Sequence, residues 1–284
     1  MAIILDGKVV SQKVKDELKL RAAKLAELGK SAGLAVIIVG DDPASRVYVN
    51  GKKRDCEEIG IATEEYALPA ETSEAEVLEL VRKLNVRSDM SGILVQLPLP
   101  KHINEEKIIN AINPQKDVDA FHPTNVGKIM IGNHDFLPCT PAGVMAMLDY
   151  YDIPIEGKEC VVIGRSNIVG KPQAMLLLHK NGTVTICHSR TKNLAEVTRR
   201  ADIVVVAIGK AEFLTADMIK DNAVVIDVGM NKNADGKLVG DVKFDEVEAK
   251  SRAITPVPGG VGLMTRAILM ENTVKSAEKA IFKI

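Results

Sequence analysis

The sequence predicts an α/β protein of two domains. Along its 284 residues, short β-branched runs of strand length alternate with amphipathic stretches of helical length. This alternation is typical of a parallel sheet with helices on both faces. Aromatic residues make up only 3% of the chain and tryptophan is absent, so the core is expected to be aliphatic. A chain of this length corresponds to about two domains.

The first half opens with a predicted helix, because apolar residues recur on one face and Gly29 is placed to end it. That face consists of Val10, Val14, Leu18, Ala22, Leu25 and Leu28. Strands follow at residues 34–39, 61–68 and 92–95, with helices at residues 43–59 and 73–84 between them. In the second half the predicted strands are residues 160–163, 183–187, 203–207 and 224–227.

Two segments rich in proline are interpreted as domain boundaries. In residues 137–143, Thr140 can cap a helix and Pro141 can occupy its first turn. Residues 255–262 hold too much proline and glycine for a helix or central strand. An apolar seam over residues 263–281 predicts a long final helix that packs on the first domain. The expected domains are therefore residues 1–139 plus 262–284, and residues 140–261, with a cleft between them that can act as a hinge.

Composition excludes several classes of function. Lys and Arg total 37 against 38 Asp and Glu, and this net charge of -1 argues against nucleic acid or a membrane surface as partner. The four cysteines form no close pair and the N-terminus has no signal-peptide pattern, so a reducing, cytoplasmic location is expected. The five histidines form no metal-ligand motif and no serine lies in a nucleophile elbow, so neither a metal site nor hydrolase chemistry of those kinds is predicted.

A glycine-containing turn joins the strand at residues 160–163 to the helix behind it. The turn holds Gly164, Arg165, Ser166 and Gly170. Such a turn directs backbone N–H groups and the helix dipole toward a pyrophosphate, as in Rossmann-like dinucleotide-binding domains. Ser166 replaces the usual second glycine, and a purely structural turn therefore remains an alternative.

The end of the next strand favours NADP over NAD. An enzyme that uses NAD places an acidic residue there against the ribose hydroxyls. Here Ser189 and Arg190 occupy that region, and Arg165 could assist them in binding a 2′-phosphate. The alternative is that Arg190 is a solvated loop residue.

A second group of polar residues lies on the helix over residues 43–59, which Asp42 is expected to cap. At about 100° per residue, Tyr48 and Lys52 fall on the same apolar arc. Lys52 therefore either extends its amine to the rim, the commoner outcome, or is partly desolvated with the lowered pKa of an acid–base group.

Polar residues also follow the strand at residues 92–95. Gln96 stands at the carboxyl end of this strand, where α/β proteins bind ligands, although it could simply end the strand. Further on, Asp117 and Asp119 lie near a turn, and either could cap the next helix. The spacing does not choose between these two carboxylates.

Taken together, the motifs resemble the methylenetetrahydrofolate dehydrogenase/methenyltetrahydrofolate cyclohydrolase family over essentially the whole chain. They occur in order as Tyr48-x-x-x-Lys52, residues 96–100 (Gln-Leu-Pro-Leu-Pro), residues 116–119 (Lys-Asp-Val-Asp), residues 164–172, residues 227–229 (Asp-Val-Gly) and residues 256–262. The resemblance implies NADP-dependent oxidation of 5,10-methylenetetrahydrofolate, followed by hydrolysis to 10-formyltetrahydrofolate. It also implies a homodimer with one-carbon tetrahydrofolate derivatives as partners.

The resemblance further implies roles for individual residues. Lys52 would shuttle protons, Gln96 would hold its pKa down, Tyr48 would orient the folate and Asp119 would bind the pterin. The remaining folate-binding positions would be Val95, Leu97, Pro258, Gly259 and Gly260. The NADP-binding positions would be Gly164, Arg165, Ser166, Gly170, Ser189, Arg190 and Met230.

The sequence departs from the family pattern at two positions that border the implied folate pocket. Leu263 replaces a proline, and Ala120 stands where a glycine commonly follows the second aspartate. Two other functions stay open: a dehydrogenase alone, with Lys52 only holding substrate, and a catalytically silent nucleotide sensor. The presence of Tyr48, Lys52, Gln96 and Asp119 together argues against the silent sensor.

Overall fold

The computed structural model describes residues 1–282, which contain eleven strands and ten α-helices. The strands are β1 (Ile3–Ile4), β2 (Gly33–Val39), β3 (Ala62–Leu68), β4 (Gly92–Val95), β5 (Glu159–Ile163), β6 (Thr183–Cys187), β7 (Ile203–Val206), β8 (Val224–Asp227), β9 (Asn231–Lys232), β10 (Leu238–Val239) and β11 (Ala253–Ile254). The helices are α1 (Gly7–Glu27), α2 (Pro43–Ile59), α3 (Glu74–Val86), α4 (Glu105–Ala111), α5 (Pro123–Met130), α6 (Cys139–Tyr150), α7 (Gly170–His179), α8 (Leu194–Thr198), α9 (Phe244–Glu248) and α10 (Val261–Phe282). Among residues 1–282, no helix has the length and apolarity needed to cross a bilayer.

The chain divides into two compact units, each with its own parallel sheet. The six-stranded unit comprises Met1–Gln12 and Pro138–Thr265, and the three-stranded unit comprises Lys13–Leu137 and the described residues from Arg266 onward. This confirms an α/β fold in two parts. The unit boundaries differ from the predicted domains at the N-terminus, where residues 1–12 belong to the six-stranded unit because β1 pairs with β11.

The six-stranded sheet has the order β1-β11-β8-β7-β5-β6, and all of its strands are parallel. After β1 at one edge, the chain returns to the sheet at β5 and adds β6 on one side and β7 on the other, so the order reverses between β5 and β7. In doubly wound sheets, ligands bind outside the carboxyl ends of the strands at such a point. All four residues of β7 are buried, which fits its unbroken apolar sequence in the centre of the sheet.

The three-stranded sheet has the order β3-β2-β4 and is also parallel. Its central strand β2 is buried along its whole length and leads into α2. As predicted, Asp42 caps α2, its carboxylate accepting from the Ser45 N–H at 2.7 Å. Beyond β4, a short parallel bridge joins Ile93 to Asp117, so the chain after α4 runs alongside β4.

The prediction for the start of α6 was right for Pro141, which lies in the first turn, and wrong for Thr140. Thr140 does not cap this helix, because α6 already begins at Cys139 and Pro138 occupies the cap position. The fixed φ of a proline is compatible with the first turn of a helix, where Pro141 lies as predicted. The Thr140 hydroxyl instead lies 2.9 Å from the Thr265 hydroxyl in α10.

Candidate active site

The three-stranded unit brings Lys52 and Gln96 together. Lys52 lies on the inward face of α2 with 7% of its surface exposed, so it does not extend to the rim. Its amine donates to the Gln96 side-chain oxygen at 2.9 Å, and the Gln96 amide donates to the Leu97 carbonyl at 2.8 Å. This second bond fixes which end of the Gln96 amide faces Lys52. The result is a nearly buried lysine whose amine has a neutral, oriented acceptor.

Gln96 reaches Lys52 because of the sheet register. Val95 pairs with Ile37 on β2, and the Gln96 N–H donates to the Ile37 carbonyl at 2.8 Å. Gln96 is therefore the first residue beyond the strand while its backbone is still tied to the sheet. Val95 is buried and Leu97 is half-buried at the same carboxyl edge.

Tyr48 lies one helical turn before Lys52 and is half-buried. Burial raises the pKa of its phenol, and the positive charge of Arg266 opposes that rise. The phenol is thus neutral near pH 7, and it shares one side of α2 with Lys52, as residues four apart do.

The structure distinguishes the two aspartates that the spacing left equivalent. Asp117 is 2% exposed and accepts from the His122 N–H and the Asn125 side-chain amide, each at 2.8 Å. Burial raises its pKa, and its bonds hold the turn before α5. Asp119, by contrast, is half-buried, two residues beyond the bridge to β4.

The backbone conformation of Ala120 explains why a glycine suits the position after Asp119. Its φ is 57°, in the left-handed region, and it is fully buried. A side chain in this conformation costs about 1–2 kcal/mol, whereas glycine has no such penalty. The departure at Ala120 is therefore a strained turn rather than a lost polar group.

In the six-stranded unit, the turn after β5 is closely packed. Gly164 has a φ of 133°, and a Cβ there would lie 2.3 Å from the Ala207 carbonyl oxygen. A Cβ on Gly170 would lie 2.3 Å from the Gly164 oxygen. The Ser166 hydroxyl accepts from the N–H groups of Val169 and Gly170 at 3.1 and 3.2 Å. The serine in place of the usual second glycine thus braces the turn.

Three polar residues are exposed beyond the carboxyl ends of β5 and β6. Arg165 follows β5, while Ser189 and Arg190 follow β6, its neighbour in the sheet. The Arg190 N–H donates to His188 Nδ1 at 3.1 Å, which orders this short loop. The edge therefore carries positive charge and hydroxyl groups, as the 2′-phosphate interpretation requires.

The remaining predicted positions of this unit lie near the start of α10. Met230 is exposed, and its terminal methyl lies 3.4 Å from the position of a Cβ on Gly262. The loop with Pro258, Gly259 and Gly260 packs on the start of α1, where the Gly7 N–H donates to the Gly259 carbonyl at 2.9 Å.

Two buried carboxylates of this unit were not assigned a role from the sequence. Asp241 is fully buried and accepts from the three backbone N–H groups of residues 208–210 at 2.7–3.0 Å. Asp227 accepts from the N–H groups of Gly229, Asp241 and Val242, each at 2.9 Å. Together they hold the loops beyond β7 and β8. The only signal in the sequence was the aspartate in residues 227–229, at the end of a buried strand.

The comparisons with known proteins cover almost the whole chain. The family model described as "Tetrahydrofolate dehydrogenase/cyclohydrolase, catalytic domain" matches residues 5–119, and the model described as "Tetrahydrofolate dehydrogenase/cyclohydrolase, NAD(P)-binding domain" matches residues 138–281. The chain belongs to the tetrahydrofolate dehydrogenase/cyclohydrolase family. This confirms the family that the motifs indicated.

Individual members of this family are similar to the chain over nearly their full length. The bifunctional protein FolD of Acetivibrio thermocellus is 63% identical over 98% of this chain and 97% of its own. The crystal structure of FolD from Campylobacter jejuni superposes with a TM-score of 0.97, at 50% identity, covering 99% of this chain and all of that one. The Trypanosoma brucei enzyme, crystallised with NADP cofactor and inhibitor, superposes with a TM-score of 0.95 at 37% identity. The match covers 99% of this chain and 98% of that one.

Proposed function

We propose that the protein is a bifunctional folate enzyme in which Lys52 moves the protons. It oxidises 5,10-methylenetetrahydrofolate to the 5,10-methenyl form with NADP and hydrolyses this product to 10-formyltetrahydrofolate. The observation that carries the proposal is the buried Lys52, whose amine lies 2.9 Å from the Gln96 oxygen at the carboxyl edge of a parallel sheet. A lysine is not buried there for packing alone, since an apolar side chain would pack at lower desolvation cost.

The six-stranded unit fits a phosphorylated dinucleotide. Gly164 leaves no room for a Cβ, which suits a turn that a pyrophosphate approaches closely. Arg165, Ser189 and Arg190 are exposed at the same edge, where a 2′-phosphate would be held. When bound, NADP accepts the hydride from the one-carbon bridge.

For the oxidation, the chain contributes mainly placement. The folate nitrogens stabilise the cation as the hydride leaves, so this step needs no protein base. Tyr48 packs on the folate, and Asp119 accepts from the pterin N–H groups. Both side chains are half-buried, which leaves a face for substrate.

The hydrolysis, unlike the oxidation, requires proton transfers, and Lys52 carries them out. Water adds to the methenyl carbon and loses a proton, which gives a neutral carbinol. The carbon–N5 bond then breaks as N5 gains a proton and the carbinol hydroxyl loses its own proton to solvent, so the formyl C=O forms and one proton is released overall. The Lys52 amine takes the first proton and returns it to N5, while the Gln96 oxygen keeps the amine aimed at the reacting carbon. One positioned acid–base group contributes about 10²–10⁴-fold to such a reaction.

An absorbance assay tests the two activities separately. Protein is mixed with NADP and methylenetetrahydrofolate, and the spectra are followed, since reduced cofactor and methenyltetrahydrofolate absorb at separable wavelengths. We expect reduced cofactor to accumulate with little methenyl intermediate. Accumulation of the methenyl form at its uncatalysed decay rate would instead indicate a dehydrogenase alone.

We also propose that the enzyme is a cytoplasmic homodimer. Strand β6 lies at the edge of the six-stranded sheet, with Thr183, Thr185 and Ile186 exposed. An exposed edge strand offers unpaired backbone groups to a second chain. Light scattering should give twice the 30.7 kDa of one chain, and a mass of 30.7 kDa at micromolar concentration would contradict the dimer.

A further inference from the structure

One face of α2 is shaped around the guanidinium of Arg266. Tyr48, Gly51 and Asp55 follow each other at spacings of three and four, so they share this face. Arg266 Nε lies 3.1 Å from Asp55 Oδ2, and a Cβ on Gly51 would lie 2.0 Å from an Arg266 Nη. The guanidinium is also close enough to oppose the rise in the pKa of the Tyr48 phenol.

Gly51 is costly for the helix that carries it. A glycine inside a helix destabilises it by about 1 kcal/mol relative to alanine. Here even one methyl group would displace the guanidinium, which explains a glycine directly before Lys52. Gly51 therefore leaves room for the Arg266 guanidinium, although a glycine at this position makes α2 less stable.

The ion pair itself is a weak stabiliser. The side chains of Asp55 and Arg266 are only 9% and 21% exposed. Burial raises the pKa of Asp55 more than Arg266 and Lys15 lower it, so desolvation outweighs the attraction. An apolar pair could join α10 to α2 without this desolvation, which points to a role beyond helix packing.

We propose that Arg266 is a positioning residue for the folate site. Anchored by Asp55 and lodged over Gly51, it fixes the turn of α2 from Tyr48 to Lys52. Substrate orientation by Tyr48 then depends on a side chain of α10. The inference rests on the proposed roles of Tyr48 and Lys52.

Gly51→Ala separates positioning from stability. The added methyl displaces the guanidinium but raises helix propensity, so Tm should hold or rise. We expect kcat/KM for methylenetetrahydrofolate to fall about 10- to 100-fold, mainly through KM, with KM for NADP unchanged. Arg266→Met should do the same, and Arg266→Lys should recover part of the loss through a shorter cation on Asp55.

Arg21→Met is the matched control. Arg21 also joins α10, donating to Glu278 at 2.6 Å, but it lies on α1 and its ion pairs are with Glu271 and Glu278. It should leave both KM values unchanged. If Gly51→Ala and Arg266→Met match this control in folate KM while the wild type is active, the positioning role is wrong. A wild type without either activity would instead overturn the proposed function itself.

Discussion

Lys52 is nearly buried and its amine is bonded to Gln96, so the roles of this side chain in placing substrate and in moving protons can be tested separately. Lys52→Met keeps the unbranched stem and removes the amine. Conversion of methenyltetrahydrofolate should fall about 10²–10⁴-fold, because no group then carries the proton to N5. Dehydrogenase activity should fall less, since that step needs placement. Both rates are measured on the same preparation by absorbance.

Lys52→Arg tests whether charge alone is sufficient. A guanidinium does not release its proton near neutrality, so this variant should resemble Lys52→Met in the hydrolysis assay. Lys53→Met is the control, because Lys53 lies on the outer side of α2 and pairs with Glu65 at 3.0 Å. Near-normal hydrolysis in Lys52→Arg would leave Lys52 with a purely positioning role.

Asp227 predicts a pH dependence of stability in the six-stranded unit. Burial raises its pKa to about 6, against three backbone N–H bonds that lower it. The folded state therefore binds a proton more tightly than the unfolded state. Proton binding by Asp227 therefore raises the free energy of unfolding by about 1 kcal/mol as the pH falls from about 7 to 5.

The comparison of wild type with Asp227→Asn isolates this effect. Urea unfolding at pH 7 and pH 5 should show the wild type gaining stability relative to the variant at the lower pH. A carbon NMR titration of the Asp227 carboxyl should have its midpoint near 6. A midpoint below 4 would show that the N–H bonds dominate.

At the scale of elements, the turn between β5 and α7 depends on two glycines that pack against backbone. Gly164→Ala would place a methyl 2.3 Å from the Ala207 oxygen at a φ of 133°. We expect KM for NADP to rise at least about tenfold, because the turn must shift from the pyrophosphate. Hydrolysis of supplied methenyltetrahydrofolate, which needs no NADP, should change far less.

Gly157→Ala is the control for backbone strain alone. Gly157 is in the same unit with a φ of 70°, but nothing lies within 4 Å of its missing Cβ. It should lower Tm without raising KM for NADP. Equal KM values in the two variants would remove Gly164 from the cofactor site.

For the whole molecule, cofactor choice should appear as a difference in thermal stability. A ligand that binds only the folded state stabilises it by about 2.7 kcal/mol at 100 times its Kd. At equal concentrations NADP should therefore raise Tm more than NAD does, and Arg190→Gln should reduce the difference. An equal shift from NAD would contradict the 2′-phosphate site at Ser189 and Arg190.

The sequence alone was sufficient wherever the signal is local. Strand and helix periodicities predicted β4, β6, β8 and α2 with their bounds, because each of these elements has its own apolar pattern and is bounded by turn residues. The order of the motifs along the chain indicated the family, because this order is read directly from the sequence and needs no knowledge of tertiary contacts. It also reduced the candidate site to a few residues, although roles such as that of Asp119 remain predictions.

Tertiary structure decided what depends on residues far apart in the chain. The burial of Lys52 follows from β4 lying beside β2, and no helical pattern distinguishes a buried lysine from one that reaches the rim. The short strands β1 and β11 form because β1 pairs with β11 across some 250 residues and β11 pairs with β8, not because of their own propensity. Arg266 meets Gly51 for the same reason: desolvation and close packing are set by contacts that only the folded chain brings together.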